Sequence, residues 1–278
     1  MATRKSIFEI LEDKYDFNKE FKKISALFHG NIIYHTGYGY SVEIAVNGVF
    51  HEWKGRGSCI NCPDMRQEIG IDAILKQNEI SPDDIILCLE YYVNILNIFT
   101  TKWLPASQEY SVNSNLSLLQ ANIDLLLEHM NFMKHNLEEE EKILLLPKDP
   151  AAISVAETAP KDIAFAILKY NHASLKGQLE EKRRLLQSIA NEYEALLNNP
   201  PTGFGEYFKT VKGLLNNLNI RHNNKAGKNK NDLVTNATPR ILEANYDELY
   251  QMLLFCVLTK DNLDRKKSAD KVLKQIKG

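Results

Sequence analysis

Long apolar runs are missing from this chain. None approaches the roughly 18 residues that a bilayer-spanning helix needs, so a membrane partner is not expected. Cysteine is scarce: Cys59, Cys62, Cys88 and Cys256 are too few and too scattered for a disulfide framework. The opening residues, Met-Ala-Thr-Arg-Lys-Ser-Ile-Phe-Glu, lack the apolar core of a signal peptide. These absences read as a cytoplasmic protein with reduced thiols. An excess of charge of either sign is also missing. The chain has 34 basic and 36 acidic residues and a formal net charge of -2, so any affinity for nucleic acid must come from a local patch. The signatures Gly-x-Ser-x-Gly, His-Glu-x-x-His, the EF-hand loop, the Walker motif and the paired zinc-finger spacing do not occur, which leaves open whether the protein is an enzyme.

What is present is ordinary globular material, 44% hydrophobic and 25% charged, enough to bury a core over 278 residues. Most of it follows helical periodicity. Ile7, Phe8, Leu11, Tyr15, Phe21, Ile24, Leu27 and Phe28 suit one or two short amphipathic helices. Ser81-Pro82-Asp83-Asp84 opens a helix with a cap, a first-turn proline and acids that complement the dipole; its apolar face is Ile85, Leu89, Val93, Leu96 and Phe99. Leu116, Leu119, Ile123, Leu126, Met130, Met133 and Leu137 recur at spacings of 3 and 4, which predicts one long helix with a coiled-coil-like seam ending in Glu138 to Glu141. Helices are also expected over 161–172, through the stripe Leu175 to Leu196 (broken at Lys182), over Phe204 to Asn219, over Tyr246 to Leu258 and over Leu263 to Ile276. Residues 38–53 read two ways. Tyr38, Tyr40, Val42, Ile44 and Val46 alternate before Asn47-Gly48, a hairpin signal; Val42, Val46, Val49, Phe50 and Trp53 also fit a helix capped by Ser41. The scarcity of other strand-like segments tilts the reading to helix.

Four groups of residues can carry chemistry. Asn216 to Lys230 gathers Arg221, His222, several amides and three lysines after a helix. Arginine grips phosphate bidentately, lysine adds point charge, histidine moves protons near neutral pH, and Asn223 and Asn224 can hold a base edge or a ribose. Trp53-Lys54-Gly55-Arg56-Gly57 has the make-up of a phosphate-contacting loop beside a stacking platform, although turn glycines and a structural ion pair of Arg56 are the favoured reading. Cys59-Ile60-Asn61-Cys62 is half a zinc site without a second pair, with only His51 and His35 nearby, so no metal and no cofactor is expected. His172, after Tyr170-Asn171, reads as a helix-end histidine that can serve Arg221 if the bundle brings the two together.

A late helix of a bundle ending in Arg221-His222 resembles the HEPN superfamily, many of whose members are ribonucleases of toxin–antitoxin, phage-defence and RNA-processing systems. Arg221 matches the family's arginine and His222 its polar residue. The family's distal histidine has no counterpart, because Ala226, Gly227 and Lys228 fill its places. The resemblance spans at most residues 115–278. It implies RNA or nucleotide binding and a homodimer with two motifs face to face. In a catalytic version Arg221 stabilises the cleaved phosphate and His222 or His172 moves the proton; Asn223, Asn224, Lys225, Lys228 and Arg56 are the ligand-binding candidates.

The sequence therefore predicts an all-α or nearly all-α protein, with an N-terminal, mainly helical segment over 1–105 and a helical bundle over 113–278, divided at the polar run Ala106 to Ser114. Its function is read as RNA or nucleotide binding by a HEPN-like protein, with defence- or toxin-type RNA cleavage as one form. The alternative is a non-enzymatic helical interaction or dimerisation protein.

Overall fold

The computed structural model describes residues 15–35, 37–107 and 110–277, so the helix expected from Ile7, Phe8 and Leu11 lies outside the described residues. The chain is mostly helical with two small antiparallel sheets, and it divides into two compact units, Met1–Leu145 and Leu146–Gly278.

The N-terminal unit runs α1 (Phe17–His29), β1 (Ile33–His35), β2 (Tyr38–Tyr40), α2 (Val42–Val46), α3 (Cys62–Ile69), α4 (Pro82–Ile98), β3 (Ser111–Val112), α5 (Asn115–His129), β4 (Phe132–Leu137) and β5 (Lys142–Pro147). Helix α4 is its axis. Ser81 caps it, accepting from the Asp84 backbone N–H at 3.2 Å, and side chains on nearly every side of it are buried. An all-round apolar helix is stable only when wrapped; α1 and α2 pack on it and α5 packs on α1. Past Ile98 it widens into a π turn, Phe99–Trp103.

Residues 38–53 are divided between a strand and a helix, and the hairpin expected to turn at Asn47-Gly48 is not formed, because Asn47 ends the helix α2. Tyr38–Tyr40 is a strand, pairing Tyr38 with His35 and Tyr40 with Ile33. Ser41 then caps α2, its hydroxyl accepting from the Ile44 N–H at 3.5 Å. The expected division at 106–114 falls inside this unit instead: Ser111 and Val112 pair with Tyr34 and Ile33, which ties the polar run to the N-terminal sheet.

The long helix expected over 116–137 stops at His129. Asn131 takes a left-handed φ of 61°, a conformation asparagine tolerates and a helix does not continue through. Beyond it Phe132–Leu137 is a strand that pairs with β5, and Glu138–Glu141 form the turn between them rather than a helix end. The hairpin is fastened to α4 by Asn94, whose amide mimics a strand edge: Nδ2 donates to Ile143 O at 2.7 Å and Oδ1 accepts from Ile143 N at 2.9 Å.

The C-terminal unit is helical: α6 (Pro150–Ala156), α7 (Lys161–Lys169), α8 (Leu179–Glu192), α9 (Gly205–Asn217), α10 (Asp232–Asn236) and α11 (Pro239–Lys277). The two helices expected at the end are one. Its Tyr246, Leu249, Tyr250, Leu253, Leu254 and Val257 face a core shared with Ile167, Tyr170, Leu186, Ile189, Phe208, Val211 and Leu215. The break at Lys182 is a buried ion pair: Nζ lies 2.9 Å from Glu243 and 2.8 Å from Asp247, while the Tyr170 hydroxyl donates to Asp247 at 3.1 Å. Among the described residues no helix is long and apolar enough to cross a membrane.

Candidate nucleic-acid interface

The loop after α9 is built from asparagines. Asn219 takes the left-handed φ of 62° that ends the helix. Asn219 and Asn224 clasp each other, each backbone N–H donating to the other's Oδ1, at 2.8 and 3.0 Å. Asn224 also donates Nδ2 to Asn229 O at 2.9 Å, and its own carbonyl accepts from Asn231 N at 3.0 Å. Asn223 Oδ1 accepts the N–H groups of Lys225 and Ala226 at 3.0 and 3.2 Å. Asn231 reaches back to Asn217 O at 2.8 Å and caps α10 at Val234 N at 2.9 Å. Buried backbone groups need partners, and here the amides supply them. The Asn224 side chain is therefore committed to the loop rather than offered to a base, and Asn223 Oδ1 is already doubly engaged.

Arg221 is partly committed, its buried Nε having no hydrogen-bond partner among the described residues. Its side chain, 14% exposed, lies against the C-terminal end of α8, with Nη1 3.5 Å from Glu194 and Nη2 donating to Ala190 O at 3.5 Å. His172 is buried and belongs to the other end of α8. Its Nδ1 accepts from Ser174 N at 3.2 Å and lies 2.7 Å from Ser174 Oγ, closing the turn that leads into that helix. The pairing of Arg221 with His172 entertained from sequence is thus not formed within the chain.

Arg56 belongs to the N-terminal unit, apart from the other candidates in the chain's division. Among the described residues it makes no ion pair; its guanidinium donates to the carbonyls of His51, Gly57 and Cys59 at 3.3, 3.4 and 3.0 Å. Gly55 lies under the Trp53 ring, where a Cβ would come within 2.4 Å, and Gly57 has a φ of 59°. The Trp-Lys-Gly-Arg-Gly stretch is a packed turn. Cys59 and Cys62 are both buried; burial raises both thiols, Cys62 to about 12, which opposes the thiolate a metal requires. Among the described residues no group of three or more His, Cys, Asp or Glu side chains is placed to hold a metal ion.

Four ionisable side chains of the stapled loop are exposed, His222, Lys225, Lys228 and Lys230, and among the described residues none of them is in an ion pair. The sequence from Tyr207 to Asn231 contains no Asp or Glu, while it carries Lys209, Lys212, Arg221, Lys225, Lys228 and Lys230. Beside Lys225 opens a cavity of about 380 Å³ lined by Leu179, Val234, Thr235, Ala237, Pro239 and Leu242. The local bias reflects a larger one. Residues 1–145 hold 13 basic against 21 acidic residues, a formal -8, and residues 146–278 hold 21 against 15, a formal +6. The near-neutral total conceals two oppositely charged units.

Sequence reasoning missed a polar cluster in the N-terminal unit. Glu43, on α2, is buried and receives the Tyr91 hydroxyl at 2.6 Å and Arg66 Nη1 at 2.9 Å, with His29 Nδ1 3.3 Å away. His29 Nε2 lies 3.3 Å from the Tyr92 hydroxyl, which bonds Ser25 at 2.9 Å. Burial pushes the Glu43 carboxyl up, but the bonds from His29 and Tyr91 and the charge of Arg66 outweigh it and hold it below the usual range. These residues come from helices far apart in sequence, so no local spacing announces them. These contacts tie α1, α2, α3 and α4 together; the buried Arg66 Nε has no hydrogen-bond partner among the described residues and lies 3.3 Å from Asp72. The chain matches no family model, no curated protein and no solved structure.

Proposed function

We propose that the C-terminal unit binds RNA or a nucleotide through the loop after α9, as the HEPN resemblance implies, and that it acts as a binder rather than a nuclease. The observation that carries the reading is a loop braced by its asparagines, with His222, Lys225, Lys228 and Lys230 exposed and without acidic partners. A braced cationic loop loses little conformational entropy on meeting a polyanion, and counter-ion release supplies the affinity. Cleavage is disfavoured because Arg221 is engaged by Glu194 and Ala190 and His172 is buried at the far end of α8.

The test is fluorescence anisotropy with a labelled single-stranded RNA, followed across salt, for the wild type and a Lys225→Ala/Lys228→Ala/Lys230→Ala variant. The expected result is binding whose salt slope falls by roughly 0.7 for each lysine that contacts phosphate, with the RNA intact afterwards. Absence of binding at low salt, or binding untouched in the variant, sinks the reading. A second reading, a helical interaction protein, is favoured by an exposed apolar stripe near the end of α11.

A further inference from the structure

Helix α11 has two different halves. Up to Val257 one face enters the core; after Thr259 no described residue is buried, and Arg265 to Ile276 are all exposed. At about 1.5 Å per residue, the segment 260–277 continues for about 27 Å. Its ion pairs, Lys260–Asp264, Asp261–Arg265 and Asp264–Lys267, support only the first turns. An isolated helix of this length is marginal in water, so its last turns gain from a partner.

The stretch carries the mark of one. Ala269, Val272, Leu273 and Ile276 stand at i, i+3, i+4 and i+7, on one face, and the three larger side chains are 53%, 50% and 74% exposed. At 3.6 residues per turn this face is rotated by roughly 140° from the face that enters the core. It is therefore not a continuation of the bundle seam. Arg265 and Lys266 flank it, and Lys267, Lys271 and Lys274 lie around the remainder, against Asp270 alone between 265 and 276.

These charges select the occupant. Two such tails zipped in parallel would set Arg265 and Lys266 of each against those of the other, with Asp270 the one acid between 265 and 276 to answer them. The complement is an acidic surface with apolar side chains in reach of water. The N-terminal unit carries a formal -8, with Glu52, Glu68, Asp72 and Glu79 exposed, and it exposes Tyr38, Ile44 and Ile60 at 70%, 60% and 72%. We infer that the basic amphipathic end of α11 docks on the acidic N-terminal unit of a second copy. The exchange is reciprocal, which closes a two-fold dimer rather than an open chain. It stands independently of RNA binding, because it uses residues 265–276 and not the 219–231 loop.

The experiment is light scattering on the full chain over a range of concentration and salt, beside Leu273→Asp/Ile276→Asp and Lys266→Glu/Lys271→Glu/Lys274→Glu variants. None of these positions is buried, and circular dichroism checks that each variant keeps its helices. The expected wild type has twice the 31.8 kDa chain mass at low salt and dissociates as salt rises, while both variants are monomers. A tagged Leu273→Asp/Ile276→Asp chain still retains untagged wild type, because its acidic unit still receives a wild-type tail; tail-to-tail pairing would lose that capture. A wild type that is monomeric at every concentration overturns the inference, as do a dimer indifferent to both variants and a tagged variant that captures nothing. Monomers that instead sediment with phosphatidylserine vesicles through the same residues also overturn it, naming an anionic lipid surface as the occupant.

Discussion

The two units solve the same problem with opposite materials. The N-terminal unit wraps short helices and small sheets around one helix, α4, that is apolar on nearly all sides, and it joins distant segments through side chains such as Asn94 and Glu43. The C-terminal unit packs one-sided helices against α11 and keeps its polar side chains for loop building and for one buried ion pair. One is acidic and the other basic. Charge summed over a whole chain therefore says little about partners when the chain divides, and an opposing pair of surfaces can vanish into a total of -2.

The contrast can be probed unit by unit, because both tryptophans, Trp53 and Trp103, lie in the N-terminal unit and report on it alone. The largest effect is expected at Tyr92, which is fully buried, stacked on Phe28 at 4.0 Å and bonded to Ser25: Tyr92→Ala should destabilise that unit by about 4 kcal/mol, read as an earlier tryptophan transition in urea. Next comes Lys182→Ala, which leaves Glu243 without its buried cation; a loss of about 3 kcal/mol is expected in the helical signal at 222 nm. If Lys182→Met proves as stable as the wild type, the ion pair contributes specificity rather than stability.

A smaller effect, about 2 kcal/mol, is expected for Gly55→Ala, because the added methyl would meet a Trp53 ring held at its Nε1 by Glu141 O at 2.5 Å. A blue-shifted or broadened tryptophan spectrum in the folded variant would show the ring displaced. For Glu43 the change is one of pH dependence. Its folded pKa lies below the ordinary 4.5, so its stabilisation is complete above that value and is lost as pH falls through the folded pKa. Glu43→Gln should flatten this acid limb of the tryptophan-detected stability curve; an unchanged limb would assign the acid sensitivity to other carboxylates. The smallest effect is expected at Lys228→Ala, within about 0.5 kcal/mol of wild-type stability, since the side chain is exposed and unpaired. A larger loss would mean that the basic loop is structural after all.

Much of the fold was legible wherever the local rules agreed. Ser81-Pro82-Asp83-Asp84 marks the start of α4 because capping, first-turn proline and dipole all agree, and the apolar positions Ile85, Leu89, Val93 and Leu96 are buried as their spacing requires. The readings that differed are those where two periods overlap. Met133 and Leu137 continue the helical spacing of α5 and, with His135 between them, also suit an alternating strand; a left-handed Asn131 and a hairpin partner, Lys142–Pro147, decide between them. Of the candidate site residues, the cations after α9 are neighbours in the chain, so the sequence alone places them together. It did not reveal that Asn223 and Asn224 are engaged by backbone groups, that Arg221 lies against Glu194, or that His172 caps a turn at the other end of α8.

The sequence by itself determined the helical class, the capped start of α4, the cationic stretch without a carboxylate and the amphipathic end of α11, because all of these follow from side chains a few residues apart. Only the tertiary structure decided where the chain divides, which polar groups are already satisfied and which cations are left for a partner. Those depend on segments far apart in sequence meeting in space, and the cost of burying an unpaired polar group fixes the outcome only once they have met.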